Sequence, residues 1–368
     1  MKLTAQAVKE AAFKAGAGDI GIAPIVRFRN APRQMHPLNI FPECKSVITI
    51  VQPIPRGSYR GITEGTHWPN YTFYSYNRLN TLFRPAVTYE TSCFIEDHGF
   101  EAVPVYPGLP EISGMRPPVR PGRPSPDVNL NVRIAAVACG MGEMGWSKVF
   151  IHPRFGPRVR LGTILTDAEL EPDPLVEPGT LCNRCMRCVR DCPGGAIPGP
   201  GERPSIRIRI DDTTYEWGDV HMGRCTLTHH GLNPEASPFL RKDMPGFNLN
   251  VRETNMSEEA AYKLTQPLAH VAWRPTMEFP GRTVFDYYQQ ITAHTGYFAL
   301  CGARGCIRSC MAALEKRGCI GQRAFPTPVY AREMWRLPPV KQDACGGVAE
   351  GKFPALFNDP DPMAGQWE

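Results

Sequence analysis

Four cysteines stand at Cys182, Cys185, Cys188 and Cys192, spaced C-x2-C-x2-C-x3-C, with Pro193 directly after the last. Thiolates are soft ligands suited to iron or zinc. Structural zinc sites usually pair two close ligands with two distant ones, so that the chain wraps one tetrahedral ion. Three cysteines at two-residue gaps suit a [4Fe–4S] cubane better, because each thiolate can address a different iron. In the bacterial form of this run, the fourth cysteine, followed by proline, serves a second cluster. The chemistry expected is one-electron transfer, and the spacing asks for further cysteines elsewhere.

They lie downstream. Cys301, Cys306 and Cys310 are spaced C-x4-C-x3-C, more loosely than the first group and with no proline after the last. With Cys192 they make four, which leaves the first trio one ligand short. Cys225, in HMGRCTLTHH between the groups, is the favoured addition, and Cys319 is the other candidate. Cys192 and Cys310 each end their group, so pseudo-symmetry pairs them by exchange. One cluster then takes Cys182, Cys185, Cys188 and Cys310, and the other Cys192, Cys225, Cys301 and Cys306. Cys44, Cys93, Cys139, Cys319 and Cys345 read as ordinary thiols.

These ligands must be positioned by a chain of 368 residues, enough for two domains, with 42% apolar content and 38 prolines and 34 glycines that imply many loops. Ala5–Ala15 has helical spacing, and Ile20–Ile25, Ser46–Val51 and Val159–Thr166 read as strands. Tyr71–His98 has apolar and aromatic positions at helical spacing, and Glu101–Tyr106 is a strand weakened by proline. This alternation predicts a layered α+β domain over residues 1–175. A cysteine-bearing domain follows over 176–325, interrupted by a segment 226–300, and 326–368 is a proline-rich tail. Within it Ser205–Ile210 alternates as a strand, and Ser257–Leu264 and Val284–Ile291 have helical spacing. The stretch ACGMGEMGWSK does not match a nucleotide-binding glycine fingerprint. Its glycines suit either a tight turn or close backbone approach to a large flat ligand.

A net charge of +5 is too small to argue for nucleic acid, though it could favour an acidic electron carrier. Thirteen cysteines, clustered rather than spread, favour metal binding in a reducing compartment over disulfides. With no apolar signal-peptide region and no stretch near the ~20 apolar residues of a membrane span, a cytoplasmic location without membrane contact is expected.

The ordered series AGDIGIAPI, CKSVITI, GMGEMGW, HPRFGPRVRLGTILTDAEL and the four-cysteine run resembles the corrinoid-dependent iron–sulfur reductases, namely the reductive dehalogenases and epoxyqueuosine reductases, over Ile20–Cys310. The resemblance implies a nitroreductase-like domain holding cobalamin, beside a ferredoxin-like domain with two [4Fe–4S] clusters. Electrons would pass from an external low-potential donor such as ferredoxin or flavodoxin, through the clusters, to the corrinoid cobalt. A carbon–halogen or similar carbon–heteroatom bond of a small organic substrate would then be cleaved. It further implies Gly140, Gly142, Gly145 and Trp146 near the corrinoid. Asp127 stands near the family's proton donor, with Tyr71, Tyr74, Tyr76 and Tyr106 as alternatives, and Arg158 and Arg160 in a substrate-facing region. His229 and His230 fit packing better than cobalt ligation, since the family leaves the lower cobalt face without histidine.

The chain departs from that pattern in its longer Thr226–Leu300 segment and in Met311, which stands where proline is usual. It also has no twin-arginine leader and no helical-repeat extension for tRNA. A small molecule is therefore expected over tRNA. Two other readings stay open: a two-cluster electron-transfer or corrinoid-reducing partner protein, and an epoxyqueuosine-reductase-like enzyme acting on a nucleoside.

Overall fold

The computed structural model describes residues 3–106, 117–238, 240, 249–269, 299, 301–320 and 337. The helix expected at Val284–Ile291, Cys345, and the tail 326–368 apart from Leu337 lie outside the described residues. So does most of segment 226–300 beyond residue 269. Met1–Leu337 form one compact unit, and Pro338–Glu368 are grouped separately.

Helix α1 (Ala5–Lys14) starts where the Thr4 hydroxyl accepts from the Ala7 N–H, and it buries Val8 and Ala12. Strands β1 (Asp19–Pro24) and β2 (Ser46–Pro53) follow. Helix α2 (Arg84–Glu96) then leads through Gly99, in the left-handed region, to β3 (Ala102–Val105). Helix α3 (Val132–Ala138) is capped by the Asn131 side chain. Next come β4 (Glu143–Met144), β5 (Phe150–Ile151) and β6 (Val159–Thr166).

β1, β2, β6 and β3 form one antiparallel sheet in that order, with Ile48 opposite Ile164 and Val51 opposite Leu161. The two-residue period sends Ile48, Ile50 and Ile164 to the face covered by α1 and α2, where Val8, Val87 and Ile95 pack. Val47, Val51, Leu161 and Leu165 face the other way, onto Ala135, Ala136 and Val137 of α3. The result is a mixed α/β layer structure with apolar packing on both faces of the sheet. Truncating a fully buried residue such as Ile48 or Ile50 to alanine costs about 2–5 kcal/mol.

The single helix expected over Tyr71–His98 is broken. A short α-helical piece, Pro69–Thr72, runs into wide π-helical turns at Phe73–Asn77 and Leu79–Phe83 before α2 begins. Pro85 in the first turn of α2, where the lost N–H matters least, marks its start. Another addition is a hairpin. β7 (Ser205–Ile210) pairs with β8 (Thr213–Gly218) across an Asp211–Asp212 turn in which Asp211 has φ 51°.

Four further helices carry or support the cysteines. They are α4 (Arg187–Arg190), α5 (Met222–His229), α6 (Glu258–Ala269) and α7 (Cys306–Arg317). α7 packs on α4, and α5 on α6. Among the described residues no helix is long and apolar enough to cross a membrane.

Candidate iron–sulfur centres

Cys182, Cys185, Cys188 and Cys310 line one cavity, which encloses about 400 Å³ including its open mouth. Three come from the loop and α4, and the fourth from α7. The Ser309 hydroxyl donates to the Asp191 carboxylate at 2.7 Å, which ties α7 to the end of α4. The loop is pinned from the other side by Glu143, whose carboxylate accepts the backbone N–H groups of Gly179 (2.7 Å), Leu181 (2.9 Å) and Cys182. Glu143 is 2% exposed. The sequence signal for it is slight, a lone acid inside the glycine-rich GMGEMGW stretch, and sequence reasoning missed it. The Trp146 N–H points at the Cys182 sulfur at 3.4 Å, the kind of hydrogen bond that tunes a cluster's potential.

Cys192, Cys225, Cys301 and Cys306 stand near enough for their charges to act on one another. The chain after Cys192 is strapped to its surroundings. Asn233 donates to the Pro193 carbonyl, Arg252 to that of Cys192, and Arg224 to that of Gly195. The Ala196 N–H lies 3.3 Å from the Cys192 sulfur. His221 caps α5 and so fixes Cys225 one turn in. The loose spacing between Cys301 and Cys306 becomes a tight turn, in which Arg304 and Gly305 both donate to the Cys301 carbonyl at 2.7 Å. A side chain at Gly305 would press on the Cys301 sulfur. Cys306 opens α7, where the helix dipole favours a thiolate.

Electrostatics sort the thiols into the same two sets. Burial pushes Cys188 up to about 12, with Cys182 and Cys185 adding to it. Burial and then Cys182 and Cys188 push Cys310 well up. In the other set burial pushes Cys225 up to about 12, with Cys192 next. Cys301 is raised by burial, then by Cys192, Cys306 and Cys225. Cys306 is raised by burial and by Cys225, Cys192 and Cys188, so the two sets meet at Cys188, Cys306 and Cys310. Such crowded, desolvated thiols become thiolates when bound cations supply the compensating charge. The donor set, its burial and the N–H groups aimed at sulfur fit two clusters. Among the described residues no three His, Cys, Asp or Glu side chains are arranged to hold a single metal ion. Cys319 packs beside Cys182 and Cys310 against Leu181 and Leu314, on the first set's side.

The other site candidates fall in different places. Asp127 is exposed on its loop, and the Gln34 amide donates to its carbonyl at 3.4 Å. Arg158 donates to the Ile54 carbonyl at 2.5 Å. The Arg160 guanidinium lies 4.3 Å from the Tyr76 ring centroid. Tyr76 in turn contacts Tyr71 (5.8 Å) and His229 (5.3 Å), and Tyr71 contacts Tyr59 (5.0 Å). This group packs against the second cysteine set: the Tyr71 hydroxyl fills the space a side chain at Gly302 would need. Burial pushes the Tyr76 hydroxyl up, Cys306 and Cys301 add to this, and Arg160 opposes it. Burial holds His229 well below its usual value, with His230 and Arg160 contributing. Tyr74 and Tyr106 are exposed, Tyr106 at 82%.

The glycine stretch is packed against the chain itself. The space for a side chain at Gly140 is taken by the Pro174 carbonyl, and at Gly142 by that of Ile151, both glycines having positive φ (71° and 154°). The Ile151 side chain fills the space at Gly145. These three positions therefore do not fit a cradle for a flat ring. Trp146 is buried with Cys192, Ala196 and Val220, and its indole N–H donates to the Pro198 carbonyl at 2.8 Å.

Part of the chain is homologous to two kinds of reductase, reductive dehalogenases and epoxyqueuosine reductases. It is 39% identical over 85 residues to tetrachloroethene reductive dehalogenase of Sulfurospirillum multivorans, covering 22% of this chain and 17% of that protein. It is 33% identical over 85 residues to epoxyqueuosine reductase of Listeria monocytogenes, covering 23% and 22%. The matches thus span under a quarter of these relatives' length. No family model matches. Among solved structures, the catabolic reductive dehalogenase NpRdhA aligns with TM-score 0.43 at 14% identity, over 78% of this chain and 35% of that one. An epoxyqueuosine reductase aligns with TM-score 0.42 at 16% identity, over 88% and 87%.

Proposed function

We propose that this chain is an iron–sulfur reductase that delivers low-potential electrons to a carbon–halogen or similar carbon–heteroatom bond of a small organic substrate. The observation that carries the reading is the cavity lined by Cys182, Cys185, Cys188 and Cys310, with Cys192, Cys225, Cys301 and Cys306 near enough to act on one another's charge; we read these as two ligand sets that exchange Cys192 and Cys310. Residues 176–325 would hold the two clusters, and residues 1–175, through the Tyr71–Tyr76 segment, would supply the wall on which substrate is reduced. Cobalamin is the cofactor the resemblance implies, although Gly140, Gly142 and Gly145 are packed against the chain itself and would not cradle it.

The residues' own part is clearest at Tyr76. Its raised hydroxyl remains protonated at neutral pH and stands beside the inner cysteine set, so it can give a proton to the carbon that gains electrons. Arg160 over its ring would stabilise the phenolate left behind, and the neutral His229 in contact with the ring adds no competing charge. Asp127, exposed as it is, lacks the burial such a role requires.

Anaerobic reconstitution with iron, sulfide and cobalamin tests the reading. It predicts visible iron–sulfur absorption together with a bound corrinoid. Clusters without a bindable corrinoid would favour a two-cluster electron carrier instead. A nucleoside substrate has support from the epoxyqueuosine reductase relative. Salt-dependent binding of tRNA by this chain would move the substrate to that class.

A further inference from the structure

The two cysteine sets differ in their access to solvent and in their surroundings. Cys185 of the first set is exposed, whereas Cys192 of the second is buried and Cys225, Cys301 and Cys306 are half-buried. The cavity of the first set is lined by Arg184, Arg187 and Arg317 and by no carboxylate. Arg190 and Lys316 are exposed just outside it, on the same two helices. The nearby acids are already engaged. Glu216 is shared by Arg184 (2.5 Å) and Arg207 (3.0 Å), and Asp191 binds Arg190 (3.0 Å) and the Ser309 hydroxyl. Those contacts hold Glu216 down to about 2, with Ser205 and Arg184 the main causes, so it stays charged and fixes the orientation of Arg184 and Arg207. Arg184 keeps 52% of its side chain exposed while lying 5.4 Å from the Trp146 ring centroid.

We propose that this arginine-rimmed mouth is the docking face for a small acidic one-electron carrier protein. The proposal rests on the cluster reading and specifies where the electron enters. A ring of fixed cations around an exposed cluster edge steers an acidic partner so that its redox centre meets Cys185, the shortest path inward. A cluster held by Cys182, Cys185, Cys188 and Cys310 would accept one electron given up by the reduced carrier, with no bond made or broken. Cys188 and Cys310, near enough to Cys306 for their charges to act on one another, would mark the onward path to the second set. The same guanidinium groups could face a nucleic-acid backbone, but an exposed redox ligand at the centre of the patch favours an electron carrier.

The test uses the reconstituted protein and a chemically reduced acidic [2Fe–2S] ferredoxin, mixed anaerobically at several salt concentrations. Arg190→Glu and the double variant Arg190→Gln/Lys316→Gln, at exposed positions outside the cavity, are compared with the parent. Both variants are expected to show unchanged cluster absorption and unchanged reduction by dithionite. Ferredoxin oxidation should slow about tenfold at low salt and converge with the parent as salt screens the face. Equal rates at low salt with intact clusters would overturn the docking face alone. Loss of tRNA binding in the variants without loss of ferredoxin oxidation would also overturn it, assigning the face to RNA. Absence of cluster absorption in the parent would overturn the cluster reading, and this proposal with it.

Discussion

Cys225 and Cys319 are both isolated cysteines near the clustered ones, and their surroundings separate them. Cys225 lies on a capped helix and feels Cys192, while Cys319 follows the end of α7 with its sulfur 3.8 Å from the Arg317 carbonyl. Cys225→Ala should lose about half of the bound iron, whereas Cys319→Ala should retain it all. Equal iron in the two variants would refute the assignment. Glu143 acts on the same loop from a distance. Glu143→Ala leaves three N–H groups without their acceptor, at about 1–3 kcal/mol for each one that stays buried. Iron analysis should show the outer cluster lost and the inner one kept. The proton donor is also separable at this scale. Tyr76→Phe should lower turnover about 10²–10⁴-fold, while Asp127→Asn stays within a few-fold. The reverse order, measured with the same substrate, would return the role to Asp127.

At the scale of elements, the strands of the main sheet were legible because Ser46–Val51 and Val159–Thr166 are β-branched runs buried on both faces. Helix α5 was not. Gly223, Thr226, Thr228 and His229 are poor helix formers, and the helix depends on the His221 cap and on packing against α6. The hairpin partner β8 was missed because Thr213, Thr214 and Glu216 are polar and leave Tyr215 and Trp217 as its large apolar positions. That hairpin carries a pH signature. Glu216 is held at about 2 against an ordinary 4.5, chiefly by Ser205 and Arg184, so its contribution is full above pH 4.5 and is lost as pH falls towards 2. The melting temperature of Glu216→Gln should lie below the parent's at pH 7, and the gap should narrow below pH 4.5. A gap independent of pH would contradict this.

Across the whole molecule, the proposed exchange between cysteine sets is an expectation from sequence, since both groups end in a cysteine offset from the rest. One helix offers it a physical means. Cys306 and Cys310 are one helical turn apart on α7, which packs on α4, so a single helix presents one thiol to each set. The Tyr76–Arg160–His229 group was legible only as isolated candidates. Its members come from a π-helical turn, a sheet strand and α5, and long-range packing alone brings them together. The glycines of GMGEMGW show the opposite case, a pattern that reads as ligand-binding and is used for close packing of the chain on itself. The claim on which the rest depends is that eight cysteines hold two cubanes. Iron and acid-labile sulfide determined per chain after anaerobic reconstitution test it directly. The account predicts about eight of each, whereas about four of each, or zinc without sulfide, would contradict it.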